Sequence, residues 1–266
     1  MVLSDFFDRF GRQVVSVTGC GGKTSLMWVL AARSRARKTL VTTTTHTQRP
    51  DVSSGLFDYF IDEEAARRDF VPPDGICFAG SLKPSGLSVS SLPLPVLEKI
   101  IPLFDRVFIE ADGSRSKPLK AWASYEPVIT ESTTVTVGIL PLWPLGKPVS
   151  DDLVHRLPLF TALSGAKEGD AVLPEHYVPV ISGHSGGDTG VPSNGVARSL
   201  FSVSRGKKAL FFNQIEDERG MENARLITSM LPRGFLEGLC AVIAGSVRLN
   251  RAELLFANEF ASAAPV

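Results

Sequence analysis

The stretch Val17-Thr18-Gly19-Cys20-Gly21-Gly22-Lys23-Thr24-Ser25 narrows the possible folds more than any other part of the chain. A β-branched run, Gln13–Thr18, precedes it, and the segment Ser25–Arg35 reads as a helix. A glycine-rich turn between a strand and a helix lets backbone N–H groups surround an anion, because no Cβ blocks the approach. The helix adds the positive end of its dipole. Gly19, Cys20, Gly21, Gly22, Lys23, Thr24 and Ser25 are therefore the expected phosphate-binding residues. In that role Lys23 reaches the β- and γ-phosphates of a nucleoside triphosphate, and the Thr24 hydroxyl ligates Mg²⁺. The usual spacing GxxxxGK[ST] would put the first glycine at position 17, which is Val17; here it is Gly19.

Further strands are predicted at Lys38–Thr42, Leu56–Ile61, Ile76–Ala79, Arg106–Glu110, Thr134–Leu140, Lys208–Phe212 and, last, Cys240–Ile243. Helical patterns fall at residues 3–10, Glu63–Phe70, Pro93–Phe104, His155–Leu163, Pro174–Ile181 and Asp217–Leu231. Strands alternating with helices predict an α/β fold, P-loop NTPase-like, with a mostly parallel sheet flanked by helices. The expected organisation is a single nucleotide-binding domain over residues 1–266. The proline-, glycine- and serine-rich stretch at about 141–206 is expected to form an irregular insertion, a cap or subdomain.

The strand Arg106-Val-Phe-Ile-Glu110 stops at Ala111-Asp112-Gly113. A carboxylate at such a strand end suits a metal ion opposite a phosphate loop. Both Glu110 and Asp112 fit, and they join Lys23 as candidate catalytic residues; Gly113 is placed to meet the γ-phosphate. Asn213-Gln214-Ile215-Glu216 partly matches the NKxD pattern that contacts guanine, with Asn213 and Glu216 as the candidate base-binding residues. It reads equally well as a helix start with Asp217 as N-cap. ATP and GTP both remain open. The run Thr42–Thr47 follows the second strand at the ligand-facing edge of a parallel sheet, and Thr44, Thr45 and His46 are candidates as a group. Arg115, Lys117 and Lys120 could hold an anionic co-substrate or form a solvated basic loop. His155 is a lone histidine in the insertion. Cys20, at a helix N-terminus, is either a reactive thiol or a small residue that fits a tight turn.

Lysine plus arginine and aspartate plus glutamate both number 28, which argues against a dedicated nucleic-acid binder. The three cysteines have no paired or metal-binding spacing. No apolar run is long enough to span a bilayer. The acidic start lacks a signal-peptide pattern. A cytoplasmic protein without nucleic-acid or membrane partners is expected.

Taken in order, VTGCGGKTS, VTTTTHTQ, VFIEADGSRSKPLKAW and FFNQIED resemble the YqeC family, over about residues 10–246. The loop spacing TGxxGKT is also similar to that of Mur-type ligases. YqeC proteins are described as selenium-dependent hydroxylase accessory proteins, or selenium cofactor biosynthesis proteins. The resemblance implies a role in maturing molybdenum hydroxylases, with such a hydroxylase or its cofactor carrier as partner. Gly19, Gly22, Lys23 and Thr24 carry over to the phosphate loop, and Glu110, Asp112 and Gly113 to the acidic turn. The expected function is Mg²⁺-dependent binding of ATP or GTP with hydrolysis or phosphoryl transfer. The alternative is a GTPase-like switch or insertion chaperone acting through a protein partner.

Overall fold

The computed structural model describes residues 1–8, 13–183 and 197–258. Its centre is a nine-stranded sheet. In chain order the strands are β1 Gln13–Gly19, β2 Lys38–Thr43, β3 Tyr59–Ile61, β4 Gly75–Ala79, β5 Arg106–Glu110, β6 Val135–Pro141, β7 Lys207–Asn213, β8 Ala241–Ser246 and β9 Arg251–Ala257. Across the sheet they run β9-β8-β7-β6-β1-β5-β2-β4-β3. Every pairing is parallel except β8 with β9. The expected α/β class with a mostly parallel sheet flanked by helices is what is found.

The helices are α1 Leu3–Asp8, α2 Lys23–Arg33, α3 Glu63–Arg67, α4 Leu94–Ile100, α5 Leu157–Ser164, α6 Pro174–Ser182, α7 Glu218–Met230 and α8 Arg233–Glu237. The central strands β1, β5 and β6 are buried along their whole length because both sheet faces are covered. Alternate residues serve the two faces. Val15, Val17, Phe108, Ile139 and Phe211 meet α1 and α2 on one side. On the other, Val107 and Ile109 join α4, while Leu140, Leu210 and Phe212 join α5, α6 and α7. The helices of the 141–206 stretch thus lie on the sheet. Part of that stretch, residues 184–196, and the end of the helix expected at 3–10 lie outside the described residues.

Two expectations are corrected. Residues 240–243 do not form the last strand, since β9 returns antiparallel beside β8. Its burial is mostly partial or absent, as suits an edge, and its apolar run at 254–257 stays exposed or half-buried. A small antiparallel sheet of His46–Gln48, Ser88–Ser90 and Ser81–Leu82 also went unpredicted, its strands being too short and polar to signal. It stands beyond the C-terminal end of β2. The helix expected over 93–104 ends at Ile100 and continues as a 3₁₀ turn, Ile101–Leu103, where Pro102 cannot donate to the helix ladder.

Parallel register fixes what faces what. Val17 of β1 pairs with Glu110 of β5, and Thr43 of β2 pairs with Glu110 from the other side. The glycine turn, the acidic turn and the threonine run therefore leave the sheet at one edge, where ligands of such folds bind. Phe211, fully buried on the α2 face, should cost about 3–5 kcal/mol when replaced by alanine, measured as the loss in urea unfolding free energy.

Candidate functional site

The glycine turn is held by backbone geometry. Gly19 has φ 109°, and a Cβ there would lie 2.1 Å from the Ile139 carbonyl oxygen. Gly22 has φ 121°, with the Asn213 amide 2.4 Å from where its Cβ would be. Both conformations suit glycine only. Helix α2 starts directly after, at Lys23, with no side chain capping it. The first-turn amides of an α-helix have no partner inside the helix, so those of Lys23, Thr24 and Ser25 are left for an anion or water.

Not every residue of the loop faces that position. The Gly19 N–H donates to Asp112 at 3.0 Å and the Cys20 N–H to the Ile139 carbonyl at 2.9 Å. Gly19 and Cys20 are therefore removed from the expected set of phosphate donors; they fasten the turn to the sheet. The Cys20 side chain is fully buried, and its thiol lies 2.9 Å from the Pro118 carbonyl. Burial pushes that thiol up to about 12, so the group is packed and unreactive.

Glu110 and Asp112, equivalent in the sequence, separate in space. Glu110 lines the cleft above the loop, accepts from the Thr24 hydroxyl at 3.1 Å and lies 3.8 Å from the Lys23 ammonium. Burial pushes its carboxyl above the ordinary range, against the pull of Lys23 and of the Thr24 and Thr47 hydroxyls. Asp112 is fully buried beneath the loop. Its carboxylate accepts from the Thr18 hydroxyl at 2.9 Å, the Gly19 amide, the Trp122 indole and the Lys120 ammonium at 3.1 Å, and it lies 3.3 Å from Lys23. Its acceptor positions are taken. The expectation that Asp112 serves as a metal or catalytic carboxylate is corrected, and Glu110 alone presents the geometry for it.

Lys23 sits between these carboxylates and donates to the Gly19 carbonyl at 2.7 Å. Burial works to lower its ammonium, yet Asp112 and Glu110 hold it above its usual range. Lys120 is corrected as well. It is fully buried, pairing with Asp112 and with Glu126 at 3.2 Å, and is not a free cation for a co-substrate. Glu126 in turn pairs with Arg156. Sequence reasoning missed Trp122, Glu126 and Arg156 as members of this chain of charges. Only the clustering of charged residues after the acidic turn hinted at it.

Three clefts meet here. The first, about 640 Å³, is walled by Gly21–Ser25, Glu110, Gly113 and the turn 114–117. A second, about 700 Å³, lies beside it and shares Gly22, Ser25, Trp143 and Gln214. Asn213, nearly fully buried, joins the two. Its side-chain amide donates to the Gly21 carbonyl at 2.7 Å and its oxygen accepts from the Val247 N–H at 2.9 Å. Glu216 reaches the second cleft, but its carboxylate is bound by Arg248 and by the Ser246 hydroxyl at 3.1 Å. Asp217 caps α7 through the Gly220 N–H at 2.8 Å, which is the helix-start reading of that motif. Gln214, at φ 62°, turns into both clefts. Trp143, 45% exposed and stacked under Lys147 at 4.2 Å, is a wall residue that the sequence did not flag.

A third cleft, about 880 Å³, shares His46, Gly113, Arg115 and Lys117 with the first. The threonine run divides between walls and support. The Thr44 hydroxyl is engaged by the Val128 carbonyl at 2.8 Å, and Thr43 by the Glu110 carbonyl, while Thr45 and His46 line the third cleft. Lys117 pairs with Asp151 at 3.1 Å. Among the described residues no cluster of three or more His, Cys, Asp or Glu is built to hold a metal, and no helix is long and apolar enough to cross a membrane.

Asp112 between two buried lysines sets a stability test. Asp112→Asn leaves both ammonium groups under-compensated and should cost about 3–5 kcal/mol at neutral pH. Burial alone would raise the carboxyl, but Lys23, Lys120, the Gly19 amide and the Trp122 indole hold it below its ordinary range. Its contribution is complete above the unfolded value of about 3.9 and fades as pH falls toward the lower native value. Urea unfolding from pH 3 to 7 should therefore show the two proteins converging in acid.

Residues 15–158 match the family described as YqeC protein. The matched span takes in the glycine turn, the acidic turn and the charge cluster as far as Arg156. A relative from Escherichia coli (strain K12), named "Uncharacterized protein YqeC", is 32% identical over 198 residues, covering 72% of this chain and 75% of its own. No solved structure matches. With more than half of its length inside the family match and this identity over most of both sequences, the chain belongs to the YqeC family.

Proposed function

We propose that this protein binds ATP or GTP with Mg²⁺ across the first and second clefts and passes the γ-phosphoryl group to water or to a small acceptor. One observation carries the reading: the Thr24 hydroxyl and the Glu110 carboxylate meet at 3.1 Å beside uncapped helix amides and the Lys23 ammonium. Magnesium keeps several waters and is bound through one or two protein oxygens plus phosphates, so one hydroxyl and one carboxylate suffice. Thr24 and Glu110 would hold it, and when bound it neutralises charge on the β- and γ-oxygens. Lys23 would exchange the Gly19 carbonyl for phosphate oxygens. The first-turn amides of Lys23, Thr24 and Ser25 complete the cradle.

The second cleft suits the base. Trp143 offers an aromatic face, and Gln214 and Asn213 stand at its floor. Base–aromatic stacking tolerates any base, and the Glu216 carboxylate is already bound by Arg248. Both purine nucleotides therefore stay within the proposal. A switch acting through a protein partner is supported by Asn213, which links the loop at Gly21 to the rim at Val247. A molybdenum hydroxylase or its cofactor carrier as that partner is a proposal that rests on the resemblance alone.

Calorimetry with ATP, GTP and their non-hydrolysable analogues tests the site. Lys23→Ala should weaken Mg-nucleotide binding by about 100-fold. Thr24→Ala should abolish the gain in affinity that Mg²⁺ provides, with a melting temperature close to the parent's. Unchanged affinity and Mg²⁺ dependence in both variants would remove the assignment.

A further inference from the structure

The third cleft opens from the first but contains none of the phosphate-loop residues. Its near end is the wall shared with the first cleft, His46, Gly113, Arg115 and Lys117. Its far end holds Tyr125, His155 and Arg156. Arg115 is exposed and has no ion pair among the described residues. His155 is 9% exposed. It lies on the short strand Val154–His155, which pairs with Leu119–Lys120. Its ring makes no side-chain hydrogen bond among the described residues, although it borders the cleft. Its ring nitrogens are not among the buried unpartnered side-chain atoms of the described residues, so they keep access to the cleft and are open to a ligand. A ligand group in the cleft would bond there in place of water.

The charges facing the cleft favour one sign. Arg115, Lys117 and Arg156 stand against Asp151 and Glu126, with Lys120 behind. Each of the two acids is already paired, whereas Arg115 has no ion pair among the described residues. Burial, followed by Arg156 and Lys120, lowers the His155 imidazole to about 4, so it is neutral at physiological pH and can donate from one nitrogen and accept at the other.

We infer that the third cleft is the site of a second substrate, a small acid bearing a carboxylate or phosphate, which receives the γ-phosphoryl group at the Arg115–Lys117 wall and is held at its far end by His155, Arg156 and Tyr125. The inference rests on the nucleotide reading of the first cleft. In the step, an anionic oxygen of the acid forms the new bond to the γ-phosphorus. The bond from that phosphorus to the β–γ bridging oxygen breaks, and its electron pair leaves with the nucleoside diphosphate. An already ionised oxygen needs no base. Arg115 and Lys117, facing both clefts, offset the repulsion between two anions.

The imidazole resonances of the full chain report on this directly. The chain has four histidines, and the His155 signal is assigned by its loss in His155→Gln. Citrate and inorganic phosphate are titrated separately at constant ionic strength, into protein saturated with a non-hydrolysable ATP or GTP analogue and Mg²⁺. One of the two should move the His155 resonance saturably while His176 stays fixed. Arg115→Ala, an exposed substitution, should weaken that binding about tenfold. Nucleotide binding by calorimetry with a static His155 in both titrations overturns this inference alone. Failure of any nucleotide to bind overturns the nucleotide reading and this inference with it.

Discussion

Asp112 is the interaction on which the site depends. A carboxylate with no solvent exposure would be intolerable alone, and here it is met by Lys23, Lys120, the Gly19 amide, the Thr18 hydroxyl and the Trp122 indole. These partners come from the glycine turn and from the segment after the acidic turn. Removing one partner of a buried charge cluster costs far more than the cluster contributes net. The loop therefore cannot drift from β5 without stranding a charge. Its glycines supply the shape and Asp112 supplies the anchor.

The two carboxylates of the acidic turn illustrate how a strand end divides labour. Glu110 is the last residue of β5, in register with Val17 and Thr43. Its side chain stays at the sheet edge, facing Thr24. Two residues on, the chain has left the sheet, and the Ala111 N–H is held by the Val17 carbonyl at 2.9 Å. That bond carries Asp112 under the loop instead of over it. One residue faces the cleft and the other holds the wall, although by type and spacing they are interchangeable.

Much of this frame was legible from local pattern. The turn Gly19–Thr24, the strand before it and the helix after it are one continuous signal, and the inner strands are segments of five to seven residues rich in β-branched and other apolar side chains. What escaped was non-local or weakly patterned. The choice between Glu110 and Asp112 depends on Lys120, Trp122 and the distant turn, and the choice between the two readings of Cys20 depends on the distant Pro118 carbonyl that its thiol meets. Trp143 lies in a proline-rich stretch with no periodicity to mark it. The edge strand β9 alternates poorly because residues on both of its faces are exposed or half-buried. Of the two readings of the Asn213 motif, the helix start is seen in the Asp217 cap, while Asn213 ties the loop to the end of β8, a role that neither reading assigned.

Net charge was silent about an anion site, and the structure supplies a reason. Lys23 and Lys120 are matched by Glu110, Asp112 and Glu126, so the ground beneath the loop carries no cationic surplus. On the proposed reading, attraction for a polyphosphate comes instead from fixed backbone dipoles at the start of α2 and from a divalent ion. Dipoles held by glycine geometry need no reorganisation when charge develops, which is the cheapest way to stabilise it. In the same proposal a salt-bridged lysine would add mobility to that frame, since Lys23 would leave the Gly19 carbonyl for a phosphate while Asp112 keeps Lys120. On that reading the buried carboxylate serves two ends at once: it fixes the turn when nothing is bound, and it would let one of its two cations move without being left alone.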